Sequence, residues 1–328
     1  MKINQDFLKF TPILKEKIWG GNKLISLLHK ESNQKNIGES WEISDVEGDT
    51  SVVANGQLKG KDLKELISIY KESLVGKSVY DKFKEKFPLL IKFIDAKEAL
   101  SIQLHPHDDL AKERHNSFGK TEMWYVMQAD EEANLIVGFK KNTTKDEYLT
   151  HLNSKSLIDI LNVDEVEKGD IYFIPTGRVH AIGAGVLLAE IQQTSDITYR
   201  IYDWDRQDDE GNYRELHTEL ALDAIDYQAK EVYYTNYNKT QNKSTEVVTC
   251  PYFTTKVLPV NGEVDVNYAD IDSFIIYMCV EGSVTFSSNN STEILKMGET
   301  LLVPADVKEF KINSDTKSEL LEVYIPEN

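Results

Sequence analysis

The stretch Leu100–Ser101–Ile102–Gln103–Leu104–His105–Pro106–His107 alternates strictly. Leu100, Ile102 and Leu104 are apolar, and Ser101, Gln103, His105 and His107 fall between them. A period of two is the mark of a strand with one apolar face. The other face carries a hydroxyl, an amide and two imidazoles, where a solvated edge would carry Lys, Glu and Thr. Gln103 and His105 are same-face neighbours, close enough to share one metal ion. A surface strand with incidental histidines is the competing reading of this segment alone. What decides between them lies elsewhere in the chain.

Outward from this strand, short strands and turns predominate. Ile37–Ser44 alternates, with Glu39 on a face that could be enclosed, and Leu89–Ile94 is an apolar run interrupted by Lys92. Glu122–Gln128 reads as a strand with Ala133–Phe139 as its expected partner. Strands resume from Asp164 through Tyr202, and again at Phe253–Val260, Phe274–Val280, Ser283–Ser287, Thr300–Val303 and Leu320–Tyr324. Helical spacing is confined to Lys23–His29, Lys61–Tyr70, Tyr80–Phe87 (ended by Pro88), Asp108–His115, Thr143–Leu161 and Thr218–Ile225. The pattern predicts a mainly β chain of barrels or sandwiches with helices as accessories. Asn236–Ser244, polar and lysine-bearing, is the candidate linker.

The composition narrows the function classes. The chain has 328 residues, 41% hydrophobic and 28% charged, as an ordinary globular protein of two or three structural units does. No apolar run approaches the length of a membrane span, and Met1–Phe10 has no signal-peptide pattern. Two cysteines, Cys250 and Cys279, make no disulfide framework, which suits a reducing cytoplasm. A net charge of −18 disfavours nucleic acid and anionic membranes as partners, while local cations in a cleft still allow a small anionic substrate.

An internal repeat organises the two halves. Lys168–Gly–Asp–Ile–Tyr–Phe–Ile–Pro175 aligns without gaps on Met297–Gly–Glu–Thr–Leu–Leu–Val–Pro304. Each copy is a glycine turn, an acidic residue, a four-residue apolar strand and a proline. The first copy continues to His180, whose counterpart in the second is Glu309. Duplication followed by loss of a metal residue from one copy is the expectation.

Gly169 through Pro175, Gly177 and His180 resembles the second signature motif of the cupin superfamily, in which the histidine binds a divalent metal inside a β-barrel. Several segments together resemble, more tightly, the type I mannose-6-phosphate isomerase family: Leu100–His107, Gly119–Lys–Thr–Glu–Met–Trp124, Val179–His–Ala–Ile182 and Thr194–Ser–Asp–Ile–Thr–Tyr–Arg–Ile201. Gly38–Glu–Ser–Trp41 resembles its compact bacterial branch. The resemblance implies two cupin-like β-barrels (jelly rolls) with a small helical insertion. Residues 1–235 would form the catalytic domain, with helical segments around 60–87 and 143–161, and residues 245–328 a degenerate C-terminal cupin domain.

Carried over position by position, the resemblance makes Gln103, His105, Glu122 and His180 the metal ligands. Two imidazoles, a carboxylate and an amide oxygen independently suit Zn²⁺, one per chain, with Mn²⁺, Fe²⁺, Co²⁺ or Ni²⁺ as alternatives. Arg200 matches the family's essential arginine, able to hold a phosphate or face an enediolate; its bland alternative is a salt bridge with Asp196 or Asp203. Lys120 and Glu190 are further catalytic candidates, against a turn lysine and a buried ion pair. Ser101 and Lys92 are substrate-binding candidates. A lysine within an apolar strand needs an anionic partner, and Ser101 could simply bond locally. The activity implied is interconversion of mannose 6-phosphate and fructose 6-phosphate through a cis-enediol, in the cytoplasm. Glu190, Lys120, His107 or a hydroxide on the metal are all open as the base. Relatives that carry a histidine just after the Gly–Glu–x–Trp segment differ from this chain, which has Asp45–Val46. The alternatives are a cupin dioxygenase or epimerase, or a non-catalytic sugar-binding cupin. No oligomeric state follows from the sequence.

Overall fold

Three large antiparallel sheets carry the chain, which is mainly β, and the computed structural model describes residues 3–208 and 210–327. The first sheet has six strands in the order Ile13–Gly21, Ile37–Ile43, Leu89–Ala96, Val186–Gln193, Glu122–Ala129 and Ile171–Ile174. The second has five: Tyr199–Tyr202, Ile102–Leu104, His180–Ile182, Asn134–Phe139 and Leu161–Glu165. The third, of seven strands, is built entirely from Thr245–Tyr324.

Alternation explains how these sheets stack. Val186 and Leu188 on the central strand of the six-stranded sheet face a core shared with Leu135, Val137 and Ile182 of the five-stranded sheet. Leu187, Ala189 and Ile191 point the other way, into a core shared with Phe253, Phe274, Ile276 and Leu321 of the seven-stranded sheet. A strand covered on both faces must be apolar at nearly every position, and Val186–Gln193 is buried throughout. On this strand only Glu190, Gln192 and Gln193 break the apolar run. The outer face of the five-stranded sheet is closed by Tyr148, Leu157, Ile160 and Ala221 from short helical segments.

Several sequence expectations are corrected. Asn134–Phe139 is not the partner of Glu122–Ala129: it pairs with His180–Ile182 and Leu161–Glu165 in the opposite sheet. The tight turn at Asp130–Ala133, with Glu132 at φ 60°, carries the chain across the sandwich, so Leu135 and Trp124 meet in one core from opposite sides. The opening strand is short, Ile102–Leu104. The helix expected over Tyr80–Phe87 runs over Lys77–Phe83 and stops at Lys84, whose φ of 55° ends it ahead of Pro88. The segment 60–87 holds two further helices, Leu63–Tyr70, capped by Asp62 accepting from Glu65 N at 2.7 Å, and Glu72–Val75. Within 143–161 the helix is Lys145–Asn153, capped by Thr144, followed by a 3₁₀ turn at Leu157–Ile160.

The repeat is a structural one. Ile171–Ile174 and Thr300–Val303 each form the last strand on the main path of their sheet. Gly169 (φ 99°) and Gly298 (φ 84°) both need the left-handed backbone that glycine adopts without steric cost. Their amides donate to equivalent carbonyls, Val126 O at 2.9 Å and Cys279 O at 2.8 Å. This aligns the Glu122–Ala129 strand with Ile275–Glu281 and puts Ile275 where Glu122 would be. The interior of the second unit is filled by Phe7, Tyr277, Phe286 and Phe310 packed edge to face or tilted. Phe7 comes from the other end of the chain, pinned by Leu8 N to Leu302 O at 2.9 Å and the reciprocal bond at 2.8 Å.

Candidate active site

His105, Glu122 and His180 converge from three segments of the two facing sheets, and one ligand atom from each lies within 4.8 Å of the others. His105 Nε2 is 3.2 Å from Glu122 Oε1, and His180 Nε2 is 3.8 Å from Glu122 Oε2. Each imidazole is oriented from behind: Nδ1 of His105 meets Ile197 O at 2.8 Å and Nδ1 of His180 meets Arg178 O at 2.8 Å. A carbonyl can only accept, so Nδ1 holds the proton in both rings and the Nε2 lone pairs point inward. His180 Nε2 and Glu122 Oε2 are buried without any hydrogen-bond partner among the described residues. Two orphaned acceptors facing each other in the buried interior are costly unless a cation lies between them. The residues fit a divalent ion.

Gln103 stands directly across from His180 and also from Arg200, because Ile102–Leu104 is the strand between theirs. Its Oε1 accepts from Ser101 Oγ at 3.1 Å, and the same Oγ accepts from Arg200 Nε at 3.3 Å. Ser101 therefore links the amide to the guanidinium. Its bonding is local, as the simpler sequence reading has it, yet it joins two groups of the site.

Charge is arranged around this cluster. Lys120 Nζ contacts Glu122 Oε1 and lies 3.3 Å from His105 Nε2. Burial first, then the Lys120 charge, push the His105 imidazole down to about 4 against the pull of Glu122. Burial also lowers His180. Both rings are thus neutral near pH 7, the state a metal ligand requires. Burial would raise Glu122, but the Lys120 charge outweighs it and holds the carboxyl well below its usual range.

Lys92, 5% exposed, has the partner its position demands: Glu190 Oε2 at 3.0 Å, directly across the ladder between Leu89–Ala96 and Val186–Gln193. Burial works to neutralise Lys92, but Glu190, Glu39 and Glu122 together hold its pKa above the ordinary lysine value. Trp124 Nε1 donates to Glu190 Oε1 at 2.9 Å, and Trp41 Nε1 to Glu39 Oε2 at 2.7 Å. A cavity of about 330 Å³ opens over these groups, lined by Lys92, Ser101, Gln103, Lys120, His180, Glu190 and Arg200. It thus gathers the anticipated residues, with His105 and Glu122 reached through Lys120 and His180. His107 is elsewhere. It is exposed and caps the helix Asp108–His115, accepting from Leu110 N at 3.4 Å.

Arg200 meets neither Asp196 nor Asp203 in an ion pair among the described residues; its Nη1 donates to Glu215 O at 2.9 Å. Asp203 is taken by Arg206 at 2.8 Å and Arg214 at 3.4 Å. Burial and the Arg214 charge both press the Arg200 pKa downward, the response of a cation that lacks a close counterion. Arg214 also lines the cavity, as do Lys17, Trp19, Trp41 and Trp124. Sequence reading missed Arg214 because it lies in an irregular segment, where no periodicity tells where a side chain points. Trp41 and Trp124 fall within the motifs, and their indole N–H groups hold two of the cavity's carboxylates, Glu39 and Glu190.

A β-sandwich with imidazoles and a carboxylate meeting between its sheets defines a cupin-class protein with a candidate metal centre. Two family models match: "Phosphomannose isomerase type I, catalytic domain" over residues 7–142 and "Mannose-6-phosphate isomerase, cupin domain" over residues 243–325. The chain is 34% identical over 308 residues to mannose-6-phosphate isomerase ManA of Bacillus subtilis, covering 93% of this chain and 95% of that one. It is 34% identical to the mannose-6-phosphate isomerase of Streptococcus mutans, over 92% of this chain and 93% of that one. The crystal structure of the mannose 6-phosphate isomerase from Bacillus subtilis superposes with a TM-score of 0.87 at 35% identity, covering 97% and 99% of the two chains. The chain belongs to the type I phosphomannose isomerase family.

Proposed function

We propose that this cavity interconverts mannose 6-phosphate and fructose 6-phosphate through a cis-enediol, with Gln103, His105, Glu122 and His180 holding one divalent ion. The observation that carries this reading is the buried pair of unpartnered acceptors, Glu122 Oε2 and His180 Nε2, beside Gln103. The mixed N/O donors suit Zn²⁺, with other divalent transition ions as alternatives, and the absence of thiolates is that of a catalytic site and not a closed structural one. When bound, such an ion supplies Lewis-acid polarisation of the sugar's carbonyl and hydroxyl oxygens.

The chain's own groups supply the rest. Arg200 and Arg214 carry more positive charge than Asp203 balances, so they are suited to a phosphate dianion, with Arg200 bridged to Gln103 through Ser101. Aldose–ketose isomerisation moves a proton from C2 to C1. Glu190, ion-paired with Lys92 and fixed by Trp124, and Lys120, beside the cluster, are the two groups placed to carry it. Trp19, Trp41 and Trp124 exclude water from one wall. The Gln and Glu donors weigh against an oxygen-activating cupin, which usually relies on three histidines.

Residues 1–235 would then be the catalytic cupin domain and 245–328 a degenerate one. Each would close as a β-barrel, and the second would be without metal, with Ile275 and an aromatic core where ligands would sit. Among the described residues no helix is long and apolar enough to cross a membrane; a sugar-phosphate substrate, a metabolite of the cytoplasm, supports reading the enzyme as cytoplasmic. The test is a coupled assay for fructose 6-phosphate formed from mannose 6-phosphate, with and without chelator, alongside metal analysis. Turnover that depends on one bound ion per chain supports the reading. Turnover that survives complete metal removal, or oxygen uptake in its place, refutes it.

A further inference from the structure

Lys120 is carried by a segment without regular structure, Asn116 to Thr121, yet its place is tightly defined. Gly119 N donates to Asp108 Oδ1 at 2.8 Å, and Thr121 N donates to Gln193 Oε1 at 2.9 Å. Gln193 closes the frame: its Nε2 donates to the same Asp108 Oδ1 at 3.1 Å and its backbone N to Thr121 O at 3.2 Å. The other carboxylate oxygen, Asp108 Oδ2, accepts from Tyr252 Oη at 2.6 Å. Tyr252 lies in the tight turn between the strands Thr245–Thr249 and Thr254–Asn267, closed by Cys250 N to Phe253 O at 3.0 Å. The hydroxyl therefore reaches across from the seven-stranded sheet, 144 positions along the chain from Asp108. Gly119 is required by this arrangement, since a Cβ there would stand 2.9 Å from Asp108 Oδ1 and 3.1 Å from Pro106 O.

We propose that Asp108, Gln193 and Tyr252 are positioning residues that set where the Lys120 ammonium sits beside His105 and Glu122, and that the C-terminal sheet takes part in catalysis through the Tyr252 hydroxyl. The inference rests on the reading of Lys120 as a catalytic group. A lysine has four rotatable bonds, so its head group is placed only if its backbone is held on both sides. Here both flanking amides are bonded to one pair of side chains, and hydrogen bonds to an ionised carboxylate are the stronger kind. Removing the Tyr252 hydroxyl frees one oxygen of Asp108 to turn toward solvent, and the frame around Lys120 loosens. The aromatic ring, packed at the edge of the core between the two sheets, stays in place.

The experiment uses the metal-loaded, full-length chain and the variant Tyr252→Phe. Steady-state turnover of mannose 6-phosphate is expected to fall roughly tenfold in kcat with KM changed less than about twofold, because misplacement of a catalytic group acts on the chemical step. Amide hydrogen exchange at 117–121 should quicken by about tenfold, while the metal content and the exchange of core strands stay as in the parent. In a Lys120→Gln background the same Tyr252→Phe change should no longer lower kcat, since a bracket acts only through what it holds. Asp108→Ala, which removes both acceptor oxygens, should reproduce the loss. Unchanged kcat in Tyr252→Phe, unchanged exchange at 117–121, or an equal fold loss with and without Lys120 overturns the proposal. The exchange measurement is independent of turnover, so it separates failure of this inference from failure of the isomerase reading.

Discussion

At the scale of the residue, the site is a set of buried polar groups that need one another. Alternation put Gln103 and His105 on one face, and the family resemblance named Glu122 and His180 beside them; the structure brings His105, Glu122 and His180 within reach of one another. The need of Lys92 for a counterion was legible too, but not that Glu190 supplies it. The two are 98 positions apart, and only the ladder register sets them opposite. Glu190→Gln leaves Lys92 buried against a neutral amide, and the chain should lose about 3 kcal/mol as a broken buried ion pair. The double variant Glu190→Gln with Lys92→Met should recover most of that stability without recovering turnover. Urea unfolding together with the coupled assay checks both. Arg200→Ala should keep its metal while kcat/KM falls by at least about a hundredfold, the scale of losing one electrostatic partner. His180→Ala should lose metal and activity together. Metal analysis of the purified variants separates the two, and normal turnover by metal-replete Arg200→Ala would end the assignment of that residue.

At the scale of the element, alternation worked for side-chain direction and failed for strand neighbours. Glu122–Ala129 and Asn134–Phe139 both read correctly as strands, yet the short connection that suggests a hairpin instead crosses between sheets. Hydrophobic pattern tells which side chains share a face; it does not tell which backbone accepts their hydrogen bonds. The long strand Glu309–Tyr324 raises a separate point. Glu322 is buried, and burial raises its pKa despite the Ser244 hydroxyl donating at 2.8 Å and Lys256 at 3.8 Å. A carboxyl whose folded pKa lies above its unfolded value contributes stability that is present below about pH 4.3 and is lost as the pH rises through the folded pKa. Glu322→Gln should therefore raise the urea midpoint at pH 7 and lose that advantage at pH 4. Equal effects at the two pH values would show that the group does not titrate in this way.

At the scale of the whole molecule, the six-stranded sheet is the shared wall. One face lines the candidate active-site cavity and the other packs on the seven-stranded sheet, so the two halves of the repeat are not independent. Phe7 makes this concrete: from the chain's start it fills the aromatic core of the C-terminal unit, fully buried. Phe7→Ala should cost about 3–5 kcal/mol, the range for deleting a buried aromatic side chain. Residues 245–328 alone should lack dispersed amide signals in NMR until a peptide spanning residues 3–10 is added. A well-folded isolated fragment would contradict this.

By itself the sequence determined the strand-rich class and the repeated Gly–acid–strand–Pro unit, and its family resemblance singled out His105, Glu122 and His180 as candidate metal ligands. Spacing within a strand or turn dictates side-chain direction over a few residues, and these features are all of that range. Only the tertiary structure decided that Glu190 answers Lys92, that Arg214 joins Arg200 over the cavity, that Phe7 completes the far core and that Tyr252 reaches Asp108. Each of those joins residues at least 14 positions apart in the chain, where register, sheet crossing and packing, and not local pattern, choose the neighbour.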